Sequence, residues 1–164
     1  MTEISDHARV KVVLADFANQ DGAGKVNLLG ANWLITGIQP TGMIPPQTLV
    51  VFVDVPARFH GEDFAVSVAL CDDAGEPVNV PGPTGEMQPL RVQQLLRAER
   101  PMVPGVNVPP EVSGRVQVIL TFGGGIPLAP GGRYRWRAEI DGNTNPQWEA
   151  DFYVVGPSPG PVFG

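Results

Sequence analysis

The sequence is poor in the side chains that do chemistry. Cys71 is the only cysteine, so no intrachain disulfide can form, which fits a reducing compartment. Histidine occurs twice, at His7 and His60, and serine four times, at Ser5, Ser67, Ser113 and Ser158. The one Gly-x-Ser-x-Gly string, Gly156-Pro157-Ser158-Pro159-Gly160, sets a proline on each side of the serine within the proline-rich segment 156–164. That is not the strand-to-helix context of a nucleophile elbow, and nucleophilic hydrolysis is not expected. Two histidines and one cysteine do not supply a zinc site of usual spacing. Lysine is confined to Lys11 and Lys25, and no stretch gathers five basic side chains. Without a basic stripe to displace counterions, nucleic acid is not an expected partner. No apolar run approaches the ~18 residues of a membrane span, and no basic segment followed by an apolar one marks a secretory leader.

Glycine and proline are abundant instead. Twenty glycines and eighteen prolines make up about 23% of 164 residues, just short of a low-complexity composition. A hydrophobic fraction of 43% argues against disorder, because enough apolar surface exists to offset chain entropy. Prolines spread along the chain exclude a helical bundle. A net charge of −6 suits a soluble domain and says little about partners.

Period-two alternation dominates. Residues 9–18 read as a strand, 19–24 as a turn and 25–37 as a second strand of the same hairpin, with Gly30 marking a bulge or a close backbone approach. Residues 48–55, 63–72, 76–80 and 115–122 read as further strands, the first of them buried on both faces, with a turn at 72–75. In the last hairpin Tyr134, Trp136, Ala138 and Ile140 alternate with Arg133, Arg135, Arg137 and Glu139. Beyond a turn at 141–146, Trp148, Ala150, Phe152 and Val154 alternate with Glu149, Asp151 and Tyr153. Pairing Arg137 with Glu149 and Arg135 with Asp151 opposes unlike charges. A shift of two residues would set Glu139 against Glu149, so the first register is expected. Segment 88–100 fits a short helix or a strand equally. Proline-rich connectors at 40–46, 80–85, 101–110 and 156–164 read as stiff, extended strings. The expected fold is a single antiparallel β-sandwich, immunoglobulin-like or jelly-roll-like, of about seven to nine strands. It would span residues 9–156, between an N-terminal arm (1–8) and a C-terminal tail (157–164).

The remaining groups of interest have simpler structural readings. Cys71 ends a strand on a face of small residues and is expected to be buried rather than reactive. The Asp72–Glu76 acidic cluster is too short for a calcium loop and reads as a hairpin turn. Gly123-Gly124-Gly125 lacks the Gly-Lys-Ser/Thr ending of a phosphate loop and reads as a flexible crossing between strands. The Arg133, Arg135 and Arg137 stripe is expected to be neutralised by Glu149 and Asp151. Trp136 and Trp148 share an apolar face and belong to the core. Trp33 sits near the suspected irregularity, where a ligand pocket is an open alternative. No catalytic, cofactor-binding or metal-binding residue is assigned.

Two stretches carry a resemblance. Leu14-Ala15-Asp16-Phe17-Ala18 is followed by Gly24-Lys25 and by Leu29-Gly30-Ala31-Asn32-Trp33. Later, Pro130-Gly131-Gly132-Arg133-Tyr134-Arg135-Trp136 is followed by Glu139-Ile140-Asp141-Gly142 and Trp148. Together they resemble an uncharacterised family of small β-sandwich proteins of actinobacteria and their phages. The resemblance implies one sandwich per chain and no enzyme activity, and it carries over no site residue. It leads to the expectation of a non-enzymatic accessory protein of a phage particle, made in the host cytoplasm and carried in the virion. The expected role is capsid decoration or minor capsid protein, with a tail component second; a cytoplasmic binding module is the alternative. Expected partners are proteins, either further copies of the chain or a major capsid or tail protein, met through the terminal arms and proline connectors. No membrane partner is expected.

Overall fold

A computed structural model describes residues 4–156; residues 1–3 and the tail 157–164 lie outside the described residues. Nine strands form two sheets that enclose one core. The first sheet holds β1 (Arg9–Gln20), β2 (Val26–Ala31), β4 (Gln47–Val55) and β9 (Gly114–Phe122), in the order β2-β1-β4-β9. The second holds β3 (Ile35–Gly37), β5 (Asp63–Cys71), β8 (Arg91–Arg97), β10 (Arg133–Ile140) and β11 (Asn143–Val155), in the order β3-β11-β10-β5-β8. A small separate hairpin joins β6 (Asn79–Pro81) to β7 (Met87–Pro89). All pairings are antiparallel except β3 with β11.

The strand order is that of an immunoglobulin-type sandwich. Strands β1, β4 and β9 stand as A, B and E, while β11, β10, β5 and β8 stand as G, F, C and C′. Tyr134 at the start of β10 supplies the tyrosine corner of such folds. Its hydroxyl donates to the Ala129 carbonyl at 3.2 Å and accepts from the Ala129 N–H at 3.1 Å.

The core follows from the alternation. Leu49, Val51, Val53 and Val55 of β4 meet Phe64, Val66, Val68 and Leu70 of β5, with Trp136, Ile140, Trp148 and Phe152 completing the cluster. At about 25 cal/mol per Å² of apolar area buried, such side chains supply the main driving force. The outer face of β4 is covered over the first half of the strand, while Phe52 and Asp54 further along it stay half-exposed. Thr48 and Val50 are buried there, together with their ladder partners Ala15 and Val13 of β1. The β1–β2 hairpin folds back over this face, and Gln117 Nε2 on β9 donates to the Gly24 carbonyl in its turn at 2.8 Å.

The last hairpin has the expected register: Arg135 lies opposite Asp151 and Arg137 opposite Glu149. Four expectations need correction. Residues 25–37 are not one strand. Gly30 (φ 60°) and Asn32 (φ 62°) adopt left-handed conformations, and the chain leaves the first sheet to place β3 beside β11 in the second. Gly30 itself marks a close approach rather than a bulge: the β1–β2 register is unbroken, and a Cβ there would lie 2.1 Å from an Asp16 carboxylate oxygen. The final turn is only Asp141-Gly142, with φ of 48° and 80°. Asp-Gly suits the left-handed pair of a two-residue hairpin, and residues 143–146 instead begin β11, beside an irregularity that admits Pro146. Segment 76–80 contributes one bridge at Pro77 and the start of β6, because proline has no N–H to give a ladder. Connector 80–85 is therefore not an extended string. It carries the end of β6 and the hairpin turn, where the Gly85 N–H donates to the Gly82 carbonyl.

Of the two readings of segment 88–100, the strand holds: β8 pairs with β5, Leu96 facing Phe64 and Val92 facing Val68. The described part of the N-terminal arm does not project. Residues Ile4–His7 form one helical turn (α1), Ile4 is fully buried in the core, and Ser5 accepts from Asn143 Nδ2 at 3.1 Å.

Candidate interaction surface

The polar groups singled out in the sequence are tied into the sandwich. On the outer face of the second sheet the arginine stripe is neutralised as expected. Arg137 Nε donates to Glu149 Oε1 at 2.8 Å, and Arg135 Nη1 lies 3.4 Å from Glu149 Oε2. Arg133 pairs with Asp151, and Arg91 of β8 with Glu139 of β10. Side chains lean diagonally, so each carboxylate serves two guanidiniums or a guanidinium and Ser67 Oγ. A face so laced has little field left for a phosphate.

Cys71 is 3% exposed. Burial pushes its thiol above the ordinary value of 9.0, outweighing the pull of Arg137 and Arg135, so the nucleophilic thiolate is disfavoured. Asp72 caps its turn by accepting from the Glu76 N–H at 2.9 Å, as a hairpin turn would. His7 stacks on Phe59 with ring centroids 6.1 Å apart, whereas His60 packs beside Gly114. Among the described residues no three His, Cys, Asp or Glu side chains come together as a metal site, and no helix is long and apolar enough to cross a membrane.

Trp33 packs edge-on against Phe152, ring centroids 5.6 Å apart. It also lines a cleft of about 290 Å³ with Val12, Leu14, Glu149 and Asp151, and its buried indole N–H has no hydrogen-bond partner among the described residues. A second, larger cleft of about 420 Å³ lies on the outer face of the first sheet, lined by Arg9, Lys11, Phe52, Asp54 and Arg115. Asp54 is already held by Arg115 through two hydrogen bonds.

What stands out is exposed apolar surface on ordered backbone. The connector 101–110 closes on itself: the Val106 N–H donates to the Val103 carbonyl at 3.0 Å, and Arg100 Nη2 to the Val108 carbonyl at 2.5 Å. Its tip presents Met102 at 89% exposure with Val103 and Val106. Register places Ile35 beside Tyr153 on the β3–β11 pair, and Phe17 beside Leu29 on the β1–β2 hairpin, all four exposed. Scattered single apolar residues mean little, but cross-strand pairs and a formed loop tip are the raw material of protein contacts. Connectors were expected to make such contacts, and the 101–110 tip was legible as a connector. The exposed strand pairs were missed, because the same alternation signals a covered face until the sheet order is known. A scan against protein-family models finds no family that matches the chain, and a search of curated proteins finds no match.

Proposed function

We propose that the chain is a non-enzymatic structural and interaction protein of an actinobacteriophage particle, acting as a capsid decoration or minor capsid protein. The observation that carries the interaction role is the apolar tip of connector 101–110, held in shape by its own hydrogen bonds while Met102, Val103 and Val106 face solvent. An ordered apolar loop on a stable sandwich loses little entropy when a neighbour covers it. The phage context rests on the two sequence stretches that resemble proteins of actinobacteria and their phages. A major capsid protein is the partner this reading names first, and a tail protein second. Mass spectrometry of purified phage particles tests it: the protein is expected at a fixed copy number, and its absence from particles ends the reading.

A ligand-binding module is the second reading. It is favoured by the buried indole N–H of Trp33, which has no partner among the described residues and stands at a concave site. A small molecule carrying a hydrogen-bond acceptor would suit that donor. Binding that quenches tryptophan emission in the native chain and is lost in Trp33→Phe would support it. A screen without such a hit, with the protein present in particles, decides for the first reading.

A further inference from the structure

The sandwich has four sheet edges, and three are guarded. Strand β3 is three residues long, too short to template another strand. Strand β8 carries Arg91 and Arg97 at its two ends. Strand β2 is interrupted by Gly30 in a left-handed conformation. Strand β9 is the least protected. It runs nine residues in unbroken register with β4 and has no proline or lysine. The β8 arginines pair with Glu139 and Asp63 as Arg115 of β9 pairs with Asp54, but Arg115 is the one charge on its strand and stands near one end only. Among the described residues its second edge has no backbone partner. In immunoglobulin-type sandwiches strand D covers this place. Here the chain enters β9 from the self-contained loop instead, and the described residues supply no strand there. Val116 and Leu120, on the core face of this open edge, are only half-buried.

We propose that β9 pairs antiparallel with β9 of a second copy of this chain, Arg115–Thr121 lying against itself about Val118. The two four-stranded sheets then become one of eight. The register is self-complementary, as a two-fold interface requires. Val116 meets Leu120 on the core face, keeping apolar with apolar. Gln117 meets Ile119 on the outer face, and Arg115 meets the hydroxyl of Thr121, so no like charges oppose each other. Inward residues stay inward because strand periodicity is two and the pairing keeps its parity. This names a partner for the interaction role proposed above and rests on that role.

The test uses the full chain and the exposed position 121. Sedimentation velocity across a micromolar concentration series is expected to show a monomer–dimer equilibrium. Thr121→Arg opposes Arg115 of the second copy twice, and is expected to raise the dissociation constant about tenfold. Thr121→Glu gives Arg115 an unlike partner and is expected to lower it several-fold. Hydrogen exchange is expected to show concentration-dependent protection of β9 amides. A monomer at every concentration overturns the proposal. So does a dimer that both variants shift in the same direction, or that neither shifts. Such a result leaves the virion reading intact, because particle mass spectrometry decides that separately.

Discussion

The run Gly123-Gly124-Gly125 offers a sharp test of how backbone geometry, rather than composition, fixes this fold. The three glycines close a turn in which the Gly125 N–H donates to the Phe122 carbonyl at 3.1 Å. They are not equivalent. A Cβ on Gly123 or Gly124 would meet nothing within 4 Å, and neither has left-handed φ. Gly125 has φ of 74°, and a Cβ there would lie 2.1 Å from the Ile44 carbonyl oxygen, which is backbone and has no rotamer to escape into. Left-handed backbone costs an alanine about 1–2 kcal/mol. Restoring ordinary contact then moves one backbone by more than 1 Å. Ile44 and Ile126, joined here by an N–H to carbonyl bond of 3.0 Å, are both fully buried, so the shift disturbs packed core. Overpacking of that kind costs about 1–3 kcal/mol.

Gly125→Ala is therefore expected to destabilise by about 3 kcal/mol and lower Tm by about 6–12 °C for a domain of this size. Gly123→Ala and Gly124→Ala are expected to stay within about 0.5 kcal/mol of wild type, on the stabilising side, because they only restrict the unfolded chain. Urea unfolding followed by tryptophan emission reads the difference, since Trp136 and Trp148 are buried. Equal urea midpoints for Gly124→Ala and Gly125→Ala would refute the reasoning and return the run to a merely flexible crossing.

Tyr134→Phe removes both hydrogen bonds of the corner while keeping the ring, and is expected to cost about 1–2 kcal/mol by calorimetry; Ala129 is exposed, so water takes up its freed groups. Ile4→Ala is expected to cost about 2–5 kcal/mol and Ile4→Val no more than about 1.5, measured by urea unfolding, because Ile4 is an anchor rather than part of a free arm. Unchanged stability in Ile4→Ala would return α1 to the arm. Cys71 has a raised thiol pKa in the folded state, so above the ordinary value of 9.0 the unfolded chain loses its proton first and stability falls as pH rises. The urea midpoint is expected to decline from pH 9 upward, more steeply than in Cys71→Ala, and thiol reagents are expected to label the native chain only as fast as it opens.

Much of the fold was legible where one residue decides one contact. Arg135, Arg137, Glu149 and Asp151 fix a register because charges recur every second position and only one alignment opposes unlike signs. Alternation around Trp136 and Phe152 identifies the core face for the same reason. Misreadings arose where a residue's role depends on φ rather than on its side chain. Asn143-Thr144-Asn145-Pro146 has turn composition, yet Asp141-Gly142 closes the hairpin first and leaves those residues to begin a strand. Gly30 was legible as an irregularity, but its left-handed φ, followed by that of Asn32, is what separates β2 from β3 across two sheets.

The candidate surface was less legible, for a reason that also says where to look. A face is a property of one strand and can be read from period two; an edge is a property of what lies beside the strand. Val116, Val118 and Leu120 alternate like any core-facing residues, and nothing in Gly114–Phe122 announces that among the described residues β4 is its one paired neighbour. That fact comes from β8 joining the second sheet and from residues 98–113 forming a loop where a strand D would otherwise lie. The guards at the other edges show that the chain has the usual means of blunting a strand: shortness at β3, terminal arginines at β8, a left-handed glycine at β2. A thinly guarded edge nine residues long in the same molecule is then not a neutral feature. Left open, it is a template for indiscriminate pairing; occupied by a matching strand, it needs no guard. The thin protection at β9 is thus itself an argument for a partner there, and the self-complementary register about Val118 is the reason to expect that partner to be a second copy.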